Sequence, residues 1–201
     1  MKIRLRSFIL CSTLSVLLPA AALAEFTIYS PKDGLADGWK TVAWNGPVTE
    51  EIEGPAKGTT VLQVGLKSGA QAYAGVILTA AAGSGVPLTG KLRESGVVRI
   101  TFKLGQDVNG IKSTVSQPLQ LALSFLTKDG ETVHGKFNTQ VTVTPASATA
   151  PDGQVEAILL PVSLEGIKAP ETLASISALR FQYSGEPLSG FAIVDCSVKT
   201  E

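Results

Sequence analysis

Polar and apolar residues alternate along this chain in several stretches of six or seven. In Val98 to Leu104 (VRITFKL), Val98, Ile100, Phe102 and Leu104 fall on one side and Arg99, Thr101 and Lys103 on the other. Leu119 to Phe125 (LQLALSF) sets Leu119, Leu121, Leu123 and Phe125 against Gln120, Ala122 and Ser124. Phe137 to Val143 repeats the arrangement, with Asn138, Gln140 and Thr142 on its polar side, and Val61 to Lys67 places Leu62, Val64 and Leu66 together. Successive side chains of a strand point to opposite faces, so this pattern predicts half-buried strands. Further strands are predicted at Phe26 to Tyr29, Tyr73 to Leu78, Val155 to Val162, Ser177 to Tyr183 and Phe191 to Lys199.

The helical period is nearly absent, and one turn near Pro170 to Ala174 is the only helix expected. Lys128-Asp129-Gly130 lies between two alternating runs and predicts a tight hairpin, because glycine supplies the positive φ that such turns require. Ala80 to Leu88, Thr144 to Gly153 and Gly185 to Gly190 are predicted as longer loops. About nine or ten strands with almost no helix predict an all-β fold of two antiparallel sheets packed face to face, a β-sandwich.

The ends of the chain change the count of folded residues. Lys2, Arg4 and Arg6 precede an apolar stretch from Phe8 to Leu18, and Ala22-Leu23-Ala24 supplies the small-x-small pattern of a cleavage site. Residues 1–24 are therefore expected to be a Sec signal peptide, and residues 25–201 a single exported domain, periplasmic or extracellular. The apolar part is too short for a bilayer-spanning helix, and no transmembrane segment is expected in the mature chain. Removing the leader leaves 14 basic against 17 acidic residues, a net charge of −3. Such a balance lacks the concentrated positive surface that nucleic acid requires. Only Cys196 remains after cleavage, so no internal disulfide can form and an ordinary hydrophobic core must carry stability.

Residue types argue against catalysis. The single histidine, His134, follows the Asp-Gly turn, and no Gly-x-Ser-x-Gly elbow accompanies it. One His and one Cys far apart in sequence do not make a zinc site, and no Walker-type phosphate loop is present. The acidic run Glu50-Glu51-Ile52-Glu53 falls on a predicted loop or edge, where charges stay in water and discourage sheet-to-sheet pairing. In Phe191 to Lys199 (FAIVDCSVK), alternation places Ala192, Val194, Cys196 and Val198 on one face and Asp195 with Phe191 and Ile193 on the other. A carboxylate there needs a metal, a cation or backbone donors.

Four segments carry a resemblance. Ile28-Tyr29-Ser30 followed by Asp33-Gly34-Leu35-Ala36-Asp37-Gly38-Trp39, then Ala72 to Val76, Val155 to Leu164 and Phe191 to Val198, appear in the order found in jelly-roll carbohydrate-binding modules of the galactose-binding-like superfamily, which this chain resembles. The resemblance implies a jelly-roll sandwich. It implies that Trp39 plugs the core, whereas Trp44, flanked by Lys40, Thr41 and Asn45, lies on the next strand either in the core or as a flat surface for a sugar ring. It also implies a structural calcium between the first turn and the last strand, with Asp33 and Asp195 at the acidic positions. Ser30 stands where another acid is often found, and the alternative role for Asp195 is to cap backbone N–H groups.

Two readings of function follow. In the first, the chain is a secreted, non-catalytic module that recognises polysaccharide or another glycan on a concave sheet face. Planar amide and guanidinium groups suit paired sugar hydroxyls, and the candidates are Arg99, Lys103, Gln120, Asn138, Gln140, Arg180 and Gln182, with Trp44. In the second, the chain is a periplasmic or cell-surface structural protein that uses the sandwich as a scaffold for an envelope protein partner.

Overall fold

The computed structural model of the protein describes residues 25–106, 109, 111–147, 152–159 and 170–200. The expected leader at 1–24 and residues 160–162 of the strand expected over 155–162 lie outside the described residues. In chain order the elements are β1 (Glu25–Ser30), β2 (Gly34–Leu35), β3 (Trp39–Trp44), β4 (Pro47–Glu53), β5 (Thr60–Leu66), β6 (Gly75–Ala80), β7 (Val86–Pro87), α1 (Gly90–Ser95), β8 (Gly96–Leu104), β9 (Gln117–Thr127), β10 (Thr132–His134), β11 (Thr139–Val143), β12 (Val155–Leu159), a 3-10 turn at Pro170–Thr172, β13 (Leu173–Tyr183) and β14 (Phe191–Thr200).

Two antiparallel sheets form, as the alternation predicts. The first runs β12-β8-β14-β1-β2; β5 shares the flank of β14 with β1 and carries β4 on its other side. The second runs β10-β9-β13-β6-β3, with β11 also on β9 and β7 on β13. Both inner faces are apolar. From the first sheet come Val98, Ile100, Phe102, Phe191 and Ile193, and from the second Leu119, Leu121, Phe125, Leu179 and Phe181. An aromatic group joins the layers: the ring of Phe102 lies 5.8 Å from that of Phe181 and 6.0 Å from that of Phe191, both edge-on, and Tyr183 meets Phe191 at 5.7 Å. Edge-to-face contact of this kind adds to what burial alone contributes.

The predicted hairpin forms. Gly130 has φ of +84°, its N–H donates to Thr127 O, and Thr127 N–H donates to Glu131 O. The acidic run Glu50 to Glu53 lies in β4, whose sole strand partner among the described residues is β5, so its carboxylates decorate a sheet edge. Trp39 is buried in the core and its indole N–H donates to Ser84 O at 3.0 Å, which removes the cost of burying that donor.

Strict alternation misassigns the last strand. Ile193 pairs with Phe102 and Asp195 with Thr101, so Val194 is an extra residue, a β-bulge. Phe191 and Ile193 face the core before the bulge, and Cys196 and Val198 face it afterwards. Ala192 and Val194 instead form a small cluster with Val61 and Ile52, separate from the main core. The partner strand compensates where the pairing steps from Thr27–Ser197 to Tyr29–Cys196, and the adjacent Ile28 and Tyr29 are both buried. A bulge inserts one residue and re-aims all those beyond it.

Tyr183 Oη is buried with no hydrogen-bond partner among the described residues. Burial also raises the pKa of this phenol well above its usual value. Tyr183→Phe keeps the ring and removes the unpaired hydroxyl, so its urea midpoint should match or exceed that of the wild type, by up to about 1 kcal/mol in stability. A clear loss would reveal a buried water on that hydroxyl.

Candidate functional site

Strand register sorts the outward side chains of the second sheet into rows. Gln140, Gln120, Gln182, Gly75 and Trp44 occupy directly paired positions on β11, β9, β13, β6 and β3. All point away from the core, because the residues beside them on β9, β13 and β6, such as Leu121, Phe181 and Val76, point into it. One row over, Ala122, Arg180, Ile77 and Val42 pair in the same way, and beyond them His134, Ser124, Ala178, Thr79 and Lys40.

Trp44 closes the amide row. It is half-buried, its ring lies on the backbone of Gly75, and a Cβ added to Gly75 would run into that ring. Its indole N–H donates to Tyr73 O at 2.9 Å. The same carbonyl accepts from Gln182 Nε2 at 3.2 Å, so one backbone oxygen holds both the ring and an amide. Tyr73 adopts φ of +57°, a left-handed conformation uncommon for a residue with a Cβ, and its own N–H donates to Gly185 O. That turn leaves the Tyr73 side chain 57 % exposed beside Trp44. It also delays the strand expected from Tyr73, which begins at Gly75.

Arg180 is fixed in the neighbouring row. Its guanidinium lies 4.4 Å from the centroid of the Phe137 ring, and Nη1 donates to Gly135 O. Burial lowers its pKa from the ordinary arginine value. At the far end Ser124 Oγ and His134 Nδ1 share a hydrogen bond of 2.9 Å. A groove of about 350 Å³ runs over these outer rows, between the 81–85 loop and β10.

Among the residues expected to bind a ligand, Trp44, Gln120, Gln140, Arg180 and Gln182 therefore share one face. Asn138 lies just before β11, exposed, with Oδ1 accepting from Thr139 Oγ1. Arg99 and Lys103 do not join them, because β8 belongs to the first sheet and its polar side faces the opposite surface of the sandwich. There Arg99 forms an ion pair with Glu156 at 3.1 Å. Lys103 borders a separate hollow, and burial, with help from the Lys112 charge, lowers its pKa. Alternation assigns a side to each residue within a strand but does not say which sheet the strand joins. Tyr73 and Phe137 join this face without being among the expected site residues; the one sequence signal for them is the aromatic Tyr73 among Gln71, Ala72, Ala74 and Gly75.

Asp33 and Asp195 do not gather further carboxylates around them into a cluster for calcium among the described residues. Calcium takes six to eight oxygens, several of them carboxylate. Asp33 is exposed, with Oδ2 accepting from Ser30 Oγ at 3.0 Å while its N–H donates to that same hydroxyl. Asp195 lies on β14, and no cluster of three or more metal-ligating side chains occurs among the described residues. Burial raises the Asp195 pKa and the like charge of Glu25 adds to it, whereas Lys199 opposes both. An acid whose pKa is higher in the folded than in the unfolded state stabilises the fold least once ionised. Stability should thus fall as pH rises from near 3.8 through the folded value, and Asp195→Asn should remove that slope and be at least as stable as wild type at pH 7. Thermal melting should not change when EDTA replaces calcium; a chelator-induced drop lost in Asp195→Asn would establish a metal there.

No protein-family model matches the chain, and no curated protein matches it. Solved structures do. The C-terminal family 22 carbohydrate-binding module of Clostridium thermocellum Xyn10B superposes with a TM-score of 0.51 at 13% identity, covering 87% of this chain and 91% of that one. A xylan-binding domain of the same family gives 0.52 at 14% identity, over 90% and 97%. The N-terminal family 22 and catalytic modules of C. thermocellum xylanase 10B, complexed with xylohexaose, give 0.53 at 15% identity, over 88% of this chain and 28% of that longer one. The fold is the jelly-roll β-sandwich of carbohydrate-binding modules.

Proposed function

We propose that this chain is an exported, non-catalytic carbohydrate-binding module that holds a β-linked polysaccharide on the outer face of its second sheet. The observation that carries the reading is the row ending at Trp44: a flat ring fixed over Gly75 and tied to Tyr73 O, in line with three glutamine amides. A pyranose presents a CH-rich face that stacks on an indole, and its equatorial hydroxyls pair with amide donors and acceptors along the row. Neighbouring strands lie about 4.8 Å apart, a spacing of the same order as one sugar in an extended chain. The row can therefore offer roughly one strand to each sugar.

The likeness to a xylan-binding domain, and to a family 22 and catalytic module pair complexed with xylohexaose, favours an extended neutral β-glycan as ligand. The row carries no charged side chain, which also suits a neutral chain. The leader-like residues 1–24 support export, and the histidine and cysteine arguments given above support binding without catalysis. Isothermal titration of the domain spanning 25–201 against xylan, mixed-linked β-glucan and soluble cellulose oligosaccharides tests the proposal. At least one should bind below millimolar Kd; no binding to any of them would replace this reading with that of a scaffold for an envelope protein.

A further inference from the structure

The amide row does not use the groove beside it. Two residues along a strand is about 7 Å, so the Arg180, Ile77 and Val42 row lies one sugar-ring width from the Gln182 and Trp44 row. A branch on a sugar seated over the amide row therefore reaches the groove. The groove's volume of about 350 Å³ is at the lower end of the roughly 300–1,000 Å³ of small-ligand pockets, a size for one further sugar. Its lining is mixed: Val42 and Ile77 are apolar, while Thr79, Thr132, Ser175 and Ser177 present hydroxyls. None of those four hydroxyls has a hydrogen-bond partner among the described residues, so they are open to the hydroxyls of a ligand.

Hydroxyls alone would accept any branch sugar, and charge narrows the choice. Arg180 is the one permanently charged side chain in the lining, and no carboxylate accompanies it there. It makes no ion pair among the described residues. Its guanidinium is half-buried, stacked on Phe137, and gives one N–H to Gly135 O. These neutral partners fix the group and leave further donors unengaged. A partly desolvated cation without a counter-ion gains more from an anion than from a neutral hydroxyl. A carboxylate suits it best, because its two coplanar oxygens match a pair of guanidinium N–H groups. General attraction of polyanions is not the cause, since residues 25–201 hold 14 basic against 17 acidic side chains.

We infer that this groove receives a uronic acid branch of the polysaccharide seated on the Trp44 row, with the carboxylate on Arg180 and the sugar hydroxyls on the threonines and serines. The inference rests on the carbohydrate reading above. It is tested by titrating the protein with a xylan that bears uronic acid branches and with the same xylan after its carboxyls are reduced to primary alcohols. The two chains differ only in carboxylate against free hydroxyl. The acidic chain should bind about tenfold more tightly at low salt, as expected for one charge-assisted pair in a partly buried site. Arg180→Gln should bring that ratio to about one, and a melting curve in parallel confirms that it folds. Val42→Asp and Val42→Asn, at a groove position that is 45% exposed, leave Arg180 in place and differ from each other in charge but not in size. The preference for the acidic chain should be smaller in Val42→Asp than in Val42→Asn. Equal affinity of the wild type for both xylans overturns the inference and leaves carbohydrate binding standing. Binding to neither overturns both. A preference that Arg180→Gln leaves intact, or that is the same in the two Val42 variants, also overturns the assignment, because the carboxylate would then sit elsewhere.

Discussion

Trp44→Ala should lower the affinity for a β-linked oligosaccharide by about thirtyfold or more, the cost expected when the aromatic anchor is removed from a binding face. The loss should appear without a loss of fold. Trp44 is half-buried on the outer surface, and its hydrogen bond goes to a loop carbonyl that water can satisfy instead. Trp44→Phe separates the two contributions of the side chain. It keeps a flat ring for stacking but releases Tyr73 O from the indole N–H, so its affinity should fall between wild type and Trp44→Ala. Titration of all three proteins with xylohexaose reads the series. An unchanged affinity in Trp44→Ala would move the stacking surface to Tyr73 or off this face altogether.

Phe191→Ala should cost about 3–5 kcal/mol of stability. The ring is fully buried and meets Phe102, Phe181 and Tyr183, which belong to both sheets, so its removal opens a cavity where the layers join. A domain of this kind holds on the order of 5–15 kcal/mol in all, and the variant should be largely unfolded near body temperature. Phe191→Leu, which fills part of the space, should retain measurable cooperativity in urea. Leu188→Ala, three residues earlier and exposed, provides the contrast, with a change within about 0.5 kcal/mol. Comparable losses in Phe191→Ala and Leu188→Ala would mean that the aromatic group is not the junction of the sheets.

The sandwich was legible because its strands face water on one side. Val98 to Leu104 and Leu119 to Phe125 alternate cleanly, and both appear at full length in β8 and β9. Three features were not legible, each for a local reason. The bulge at Val194 breaks period two without leaving a turn residue to mark it, so the faces of Ala192 and Val194 were read in the wrong sense. The helix α1 is a single short turn whose one buried side chain, Leu92, makes no period. The division of the polar candidates between surfaces depends on sheet membership, which is a matter of topology: Gln120 and Arg180 meet because β9 pairs β13, and Arg99 does not because β8 pairs β12 and β14. The indole of Trp44 lies outside the core, as one of the two readings of that residue held, whereas the positive φ that presents Tyr73 left no mark beyond the small residues around it.

The pairing of β1 with β14 has a kinetic consequence. Glu25 sits opposite Lys199 and Phe26 opposite Val198, and β14 also pairs β5 and β8, so the first sheet is built from residues far apart in the sequence. Loop closure on that scale is slow, and sandwiches dominated by non-local pairing fold in milliseconds to seconds rather than microseconds. A polypeptide still growing toward Phe191 lacks the strand on which β8, β1 and β5 all assemble. During synthesis it therefore stays open, with the apolar faces of β5 and β8 uncovered, until the last strand is complete. Chaperone dependence in the cell should accordingly track chain elongation, and a nascent chain stalled before Phe191 should remain sensitive to protease along its length.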